Sequence, residues 1–454
     1  MAEIASAPEA FDIATGTLII GAGACGMVAA LAAQAAGQDV LVIEADGVPS
    51  GSTALSAGLI PAAETALQKA AGIVDSAQQF ADDIQSKAKC ENDRDLVAAL
   101  AKGSAPAIDW LTETHGLPFS VVADFDYPGH TNRRMHGLPT RSGAELIDAL
   151  RSACESTGVD IVCGRRAVTL FAEGRQIRGV KALRPDGEAE TIGCKKLILA
   201  SNGFGGNRNM VATHMPDILD ARWFGHDGNR GEAILWGDAL GADTVHLGAY
   251  QGHGNVAHPH GILITWATMT EGGVQVNRNG QRFWDESQGY SEAARAVLAQ
   301  PDGEAFAIFD SRIAGIARQF EDFKQAEAVG AVQVAGSIDA LAVALGLPRD
   351  SLEASIMGLP KHGLDAFGRT YSKPPLCAPY YGVRVTGALF HTQGGLRTDG
   401  EGRVYHSDGA PFPNLFAAGG AACGVSGSGD AGYLSGNGLL SAVVLGRAAG
   451  MAQL

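Results

Sequence analysis

The apolar positions of this chain fall in short runs that end on glycines. Thr17-Leu18-Ile19-Ile20 is the first, and its unbroken apolar character predicts a buried strand. Met27 to Gln34 is rich in alanine and predicts a helix. Asp39-Val40-Leu41-Val42-Ile43-Glu44 predicts a second strand. Lys196-Leu197-Ile198-Leu199 and Asn414-Leu415-Phe416-Ala417 predict two more. The first of these runs into Ala200-Ser201-Asn202-Gly203, the second into Ala418-Gly419-Gly420. The turn Gly436-Asn437-Gly438-Leu439-Leu440 leads into an apolar helix from Ser441 to Ala449. Residues 292–360 read as mixed helix and strand of ordinary polarity. No internal repeat, low-complexity tract or long polar linker interrupts the pattern, which is that of an α/β protein.

The first glycine cluster carries chemistry. Gly21-Ala22-Gly23-Ala24-Cys25-Gly26 lies between the first strand and the helix, and Glu44 ends the next strand 23 positions after Gly21. Strand, glycine turn, helix, strand and terminal acid in this order form a dinucleotide-binding signature. Gly21 permits the tight turn, Gly23 lets a pyrophosphate approach the backbone, and Gly26 lets helix and strand pack closely. The helix start offers free N–H groups and partial positive charge to phosphates. Glu44, followed by Ala45, is placed to accept hydrogen bonds from ribose hydroxyls. Small residues in Gly51-Ser52-Thr53-Ala54-Leu55-Ser56-Ala57-Gly58 suit a second close pass along an extended cofactor.

Composition narrows the picture. The 454 residues fit two or three domains, and 61 glycines without a Gly-X-Y period exclude a collagen. A net charge of −15 with no basic stripe argues against nucleic acid or an anionic membrane as partner. Seven scattered cysteines contain no Cys-x-x-Cys pair, which predicts a reducing compartment and no haem, iron–sulfur, zinc or other metal site. With no signal-peptide pattern and no apolar run long enough for a span, a cytoplasmic protein without a membrane span is expected.

Together these segments resemble the flavoprotein superfamily of succinate dehydrogenase, fumarate reductase and 3-ketosteroid dehydrogenase. The resemblance implies a Rossmann-like FAD-binding domain with an inserted α+β capping domain. The FAD domain is expected at about 1–247 and 392–454, and the cap at about 248–391. It implies FAD in an extended pose, with the pyrophosphate at Gly21 to Gly26 and the flavin beside Gly51 to Gly58. Ala167 would meet adenine through its backbone. Ala200, Ser201, Asn202, Gly203, Gly419 and Gly420 complete the cofactor set, with Gly436, Asn437, Leu439 and Leu440 approaching the isoalloxazine. Members with covalent FAD carry a histidine where this chain has Ser52, so non-covalent FAD is expected. Substrate would sit between cap and flavin.

The resemblance also singles out a reaction site. Gln251-Gly252-His253 matches the opening of the fumarate reductase Gln-x-His-Pro-Thr motif. His258-Pro259 is a rival register that needs a gap, so His253 is preferred. The Glu and Arg that relay protons in those enzymes are Trp266 and Met269 here, and neither can relay one. Val276 to Glu286 matches a family motif, and four residues later the proton-donating Arg is replaced by Tyr290. The Arg that clamps a carboxylate is replaced by Tyr433 in Gly432-Tyr433-Leu434-Ser435-Gly436-Asn437. Ketosteroid dehydrogenases carry tyrosines at both places, one as base and one as carbonyl donor. His391-Thr392-Gln393-Gly394-Gly395 keeps the fumarate reductase form with its substrate-binding histidine. Tyr127 is a candidate third pocket tyrosine or an ordinary turn residue, while Arg133 and Arg134 read as surface charge.

The reading is therefore an FAD-dependent oxidoreductase acting on a CH–CH bond. Desaturation of a ketone, or the reverse enone reduction, is favoured over a steroid-specific enzyme. Tyr290 would exchange the α-proton, and Tyr433, His391 and the Gly436 N–H would hold the oxygen. The small-molecule substrate is expected to be a ketone and the electron acceptor is unidentified. The rivals are a dicarboxylate dehydrogenase or fumarate reductase, and a non-catalytic binding protein on the flavoprotein fold.

Overall fold

A computed structural model describes residues 3–123 and 125–454. At the centre of the larger sheet, Ile13–Ile20 runs parallel to Val40–Ile43 on one side and Ala189–Leu199 on the other. Asp160–Val162 extends the parallel set beyond Val40–Ile43, and Pro411–Ala417 pairs parallel with Ala189–Leu199. Parallel strands covered on both faces need apolar side chains throughout, and Leu18, Ile19, Ile198 and Leu199 are fully buried. The strand ending at Leu199 starts well before the predicted Lys196. Its first half pairs antiparallel with Gln176–Leu183, so polar residues from Ala189 onward join the ladder without an apolar signal.

The first helix spans Ala24–Ala35, three residues earlier than its apolar pattern predicts. Gly26 explains the close seat: a Cβ there would stand 1.8 Å from the Gly21 carbonyl oxygen. The C-terminal apolar segment is helical from Asn437 to Met451 but contains a π-helical turn at Ser441–Leu445. Such turns break the regular hydrogen-bond ladder and often sit at functional sites.

A second sheet is built mainly from Tyr250–Ala257, Val274–Val276, Glu304–Asp310 and Tyr380–Thr392. It also recruits Arg222–Trp223, which lies earlier in the chain than the expected cap boundary. Helices alternate with its strands, as the mixed pattern of residues 292–360 predicts. The cavity described below takes residues from both sheets. Among the described residues no helix is long and apolar enough to cross a membrane.

One expectation fails outright. Arg134 is not surface charge but 1% exposed. Its Nε donates to Asp75 Oδ2 at 2.7 Å, its Nη2 to Asp75 Oδ1 at 2.8 Å, and Nη1 pairs with Asp83. A buried guanidinium is tolerated only with this degree of compensation. Both acids lie more than fifty positions away, so nothing local in the sequence signals the pairing. Arg133 is exposed and pairs with Asp126, as read.

Candidate active site

A cavity of about 590 Å³ lies against the C-terminal ends of Ile13–Ile20 and Val40–Ile43 and extends to the second sheet. Its first half is glycine-rich. The residue before the helix at Ala24 is Gly23, which has no side chain to cap it, so the N–H groups after that of Ala24 remain available to a ligand. A Cβ built on Gly23 would find only Thr53 Oγ1, at 3.8 Å, so the space in front of this glycine is open. Thr53 Oγ1 accepts from the Ala24 N–H at 3.3 Å. Glu44 Oε2 accepts from the Ala22 N–H at 2.7 Å and Oε1 from the Asp46 N–H at 2.9 Å. A carboxylate offers about four acceptor sites, so capacity for ribose hydroxyls remains. Ser201 Oγ and Ser441 Oγ line the cavity, buried and without partners among the described residues. Buried polar groups are normally satisfied, so this points to a polar occupant. The residues fit FAD.

Of the expected cofactor set, Gly21, Gly23, Ala24, Cys25, Glu44, Ala45, Gly51, Ser52, Thr53, Ser56, Ala57 and Gly58 line this cavity. So do Ala167, Ala200, Ser201, Asn202, Gly419, Gly420, Gly436 and Leu439. Ala22, Gly26, Gly203, Asn437 and Leu440 do not: they stand behind the lining, in the packing that holds it. Sequence reading missed the strap Phe224 to Arg230. There His226 Nε2 lies 2.7 Å from Asp46 Oδ2, and Asn229 Nδ2 donates to Ser52 Oγ at 2.7 Å. Ser52 is thus held by hydrogen bonds.

The second half is aromatic. His253 comes from the strand Tyr250–Ala257, His391 from the antiparallel neighbour Tyr380–Thr392, where Gln251 faces His391. Tyr290 opens the helix Tyr290–Leu298. Behind it, Glu286 is buried and bridges Arg282 and Arg369, which braces the Val276 to Glu286 motif. The His253 ring stacks on Tyr290 at 4.8 Å and on Phe390 at 5.1 Å, with Trp266 edge-on at 5.8 Å. Tyr290 and Tyr433 lie 5.9 Å apart, and Tyr433 is 5.6 Å from His391. Tyr127 also lines the cavity, packed on Phe125. His258 does not: it faces Glu304, so of the two rival registers it is His253 that lines the cavity. Met269 is fully buried in the core and off the cavity.

Burial sets the protonation of this half. It lowers His253 to about 3 and His391 to about 4, so both are neutral imidazoles. The Asn255 N–H donates to His253 Nδ1 at 3.1 Å, which assigns its proton to Nε2. His391 is oriented by a relay that sequence reading did not reveal. Asn437 Nδ2 donates to Ser426 Oγ at 3.2 Å, Ser426 to Gln393 Oε1 at 2.6 Å, and Gln393 Nε2 to His391 Nδ1 at 3.0 Å. The Thr392 carbonyl oxygen, which can only accept, also lies 3.2 Å from His391 Nδ1. Nδ1 therefore has a donor and an acceptor beside it, and Nε2 is a donor in the tautomer whose Nδ1 accepts from Gln393. Burial holds Tyr290 well above the ordinary phenol range; the Tyr433 hydroxyl adds to this and Ser435 opposes it. Tyr433 is pushed up to about 12, also by burial.

The cations lining the cavity are Arg165, Arg166 and Arg230. Arg165 is anchored beside Glu44 through its N–H and pairs with Glu190. Among the described residues none of these lining cations stands among the aromatic rings; Arg141, over the Phe320 ring, lies outside the lining.

The sequence matches the family described as FAD binding domain over residues 16–439. The chain belongs to this family. It is 30% identical over 442 residues to a probable fumarate reductase, Ifc3, of Shewanella frigidimarina, covering 96% of this chain and 74% of that one. Among solved structures, the open conformation of a flavocytochrome c3 fumarate reductase superposes with a TM-score of 0.79 at 28% identity, covering 97% of this chain and 78% of that one. A 3-ketosteroid-Δ4-(5α)-dehydrogenase from Rhodococcus jostii RHA1 superposes with a TM-score of 0.74 at 25% identity, covering 98% and 97%. The protein is an FAD-dependent oxidoreductase of the class that acts on CH–CH bonds.

Proposed function

We propose that this flavoprotein interconverts a neutral ketone and its α,β-unsaturated counterpart, with the cap of residues 248–391 covering the substrate. The carrying observation is the pair Tyr290 and Tyr433, buried together where the fumarate reductase pattern has arginines, in a half of the cavity that no cation among the described residues lines. Arginine matches a carboxylate in two parallel hydrogen bonds; a phenol matches one carbonyl oxygen.

FAD, held at the glycine-rich half, supplies hydride exchange at the β-carbon. The chain's own residues manage the rest. Burial keeps Tyr290 protonated, so it is set to donate a proton to the α-carbon during reduction. Desaturation would require Tyr290 to start as the phenolate, which burial disfavours, so the site is set for the reductive direction. The Tyr433 hydroxyl stabilises the oxygen as it gains enolate character, and His391 adds a second hydrogen bond in the tautomer whose Nδ1 accepts from Gln393. The packed rings of His253, Trp266 and Phe390 exclude water from the exchange.

A second reading, fumarate or another dicarboxylate, is favoured by the similarity to the Shewanella protein. The test is direct. Photoreduced enzyme is mixed anaerobically with cyclic enones and, separately, with fumarate, and the flavin band is followed. Enones should restore the oxidised band and fumarate should not. Rapid reoxidation by fumarate with none by any enone overturns the proposal.

A further inference from the structure

Two further residues reach the cavity from the helical segments beyond the ring cluster. Phe320 and Asp322 sit where the chain leaves the helix Ser311–Ala317 and enters the helix Glu321–Ala328, and both line the cavity. Phe320 is 4% exposed and packs on Phe125, which in turn packs on Tyr127. The Glu321–Ala328 helix lies against Ile262–Leu263. Leu263 lines the same cavity, two residues before Thr265 and three before Trp266. This corner therefore adjoins the aromatic half and not the glycine turn.

Asp322 differs from the other acids of the cavity. Glu44 is engaged by two backbone N–H groups, Asp46 by His226, and Glu232 by Arg166, while Asp227 is exposed. Asp322 is partly buried and has no hydrogen bond or ion pair among the described residues. The nearby Arg141 is turned to Gln319 and to the face of Phe320. Desolvation, with a smaller contribution from Glu321, raises the Asp322 carboxyl to about 6, so at neutral pH it is an ionised acceptor. A desolvated carboxylate facing a cavity is a strong acceptor for any donor that enters.

We infer that Phe320 and Asp322 form a recognition subsite for the end of the substrate remote from the reacting bond, taking a planar ring that carries a hydroxyl donor. Phe320 supplies the flat apolar face and Asp322 accepts from the hydroxyl. The substrate class this defines is a hydroxyaryl or hydroxylated cyclic enone, so the inference rests on the ketone reading and narrows it.

The probes are 4-(4-hydroxyphenyl)but-3-en-2-one and its methyl ether, whose ring and enone are identical and whose donor is present or blocked. Binding to the oxidised holoenzyme is read from the shift of the flavin band. Wild type should bind the hydroxy compound about tenfold tighter than the ether, the usual worth of a hydrogen bond to a charged group. Asp322→Asn, loaded with FAD as fully as wild type, should bring the two affinities close together. Phe320→Leu should weaken both compounds and keep their ratio. A hydroxyl preference that survives in Asp322→Asn, or is absent in wild type, overturns the subsite. So does failure of both compounds to perturb the flavin. Turnover of 2-cyclohexenone reports on the ketone reading separately. Cyclohexenone reduced with no hydroxyl preference removes the subsite alone. An Asp322-dependent preference with no enone turned over keeps the subsite and removes the ketone reading.

Discussion

The two halves of the cavity are built by opposite means. The glycine-rich half is largely one stretch of chain, Gly21 to Gly58, and it presents backbone N–H groups, small side chains and a helix end. The aromatic half is gathered from the start of one strand, the end of another, a helix opening at Tyr290 and a loop at Tyr433. Backbone recognition depends on what is missing from a side chain, so it imposes glycine and leaves few alternatives. Side-chain recognition depends on what is present, so two arginines of a fumarate reductase pattern can be tyrosines here without disturbing the sheet beneath. On the proposed function, the chemistry of the reaction is set in the half that the fold constrains least.

The largest effect should come from breaking the glycine-rich half. Gly23→Val puts branched carbon into the open space before the helix N-terminus. FAD should be lost on purification, seen as a missing flavin band. Bound ligand at about 100 times its Kd contributes about 2.7 kcal/mol, so thermal stability should fall as well. In the wild type the same band should be released by acid, because Ser52 cannot form a histidyl link. A Gly23→Val protein that stays yellow would mean the pyrophosphate does not pass this glycine.

How much was legible follows the same divide. The run from Thr17 to Glu44 announces itself because each residue type is required within one strand–turn–helix unit. Ala22 and Gly26 belong to that motif yet stand behind the cavity, since a motif marks packing as well as contact. His253, His391, Tyr290 and Tyr433 were found only through resemblance to aligned motifs, because residues 253 and 433 have no local signal that joins them. The Asn437–Ser426–Gln393–His391 relay was not legible, being polar residues ordinary in type and brought into contact only by the fold. Arg134 was misread for the same reason: its partners are distant in sequence.

Breaking the aromatic half should spare the cofactor. Tyr290→Phe keeps the ring that stacks on His253 and removes the hydroxyl, so FAD content should match wild type. Reoxidation of reduced flavin by a confirmed enone should slow by about 10²-fold, the usual worth of a positioned proton donor. Unchanged single-turnover rates would deny Tyr290 its role. Tyr433→Phe removes one hydrogen bond to the growing negative charge, so kcat should drop about tenfold with little change in KM. The backbone N–H of Gly438, which reaches the Tyr433 hydroxyl at 3.4 Å, would be left to solvent. His391→Ala should weaken substrate binding severalfold and leave flavin content alone; full kinetics in that variant would make the histidine a packing residue.

The smallest effect separates the two halves by pH. His253 and His391 are held neutral by burial at about 3 and about 4, against the ordinary 6.5 of an unfolded chain. Between those values the unfolded state binds more protons than the folded one, so stability must fall as pH drops through the window from about 6.5 to about 4. Above pH 7 neither state binds the proton and the term vanishes. Carboxylates elsewhere also titrate in acid, so the wild-type profile alone does not isolate this contribution. His253→Gln does: it keeps a polar side chain of similar reach and has no proton to gain. Between pH 7.5 and pH 5, wild type should lose about 1 kcal/mol more than the variant in chemical denaturation, a share of the full linkage because neighbouring dipoles reorient toward a charged ring. Variant and wild-type curves that run parallel through the window would mean that His253 protonates in place. The aromatic half would then be wet, and water exclusion around the proton transfer would lose its basis.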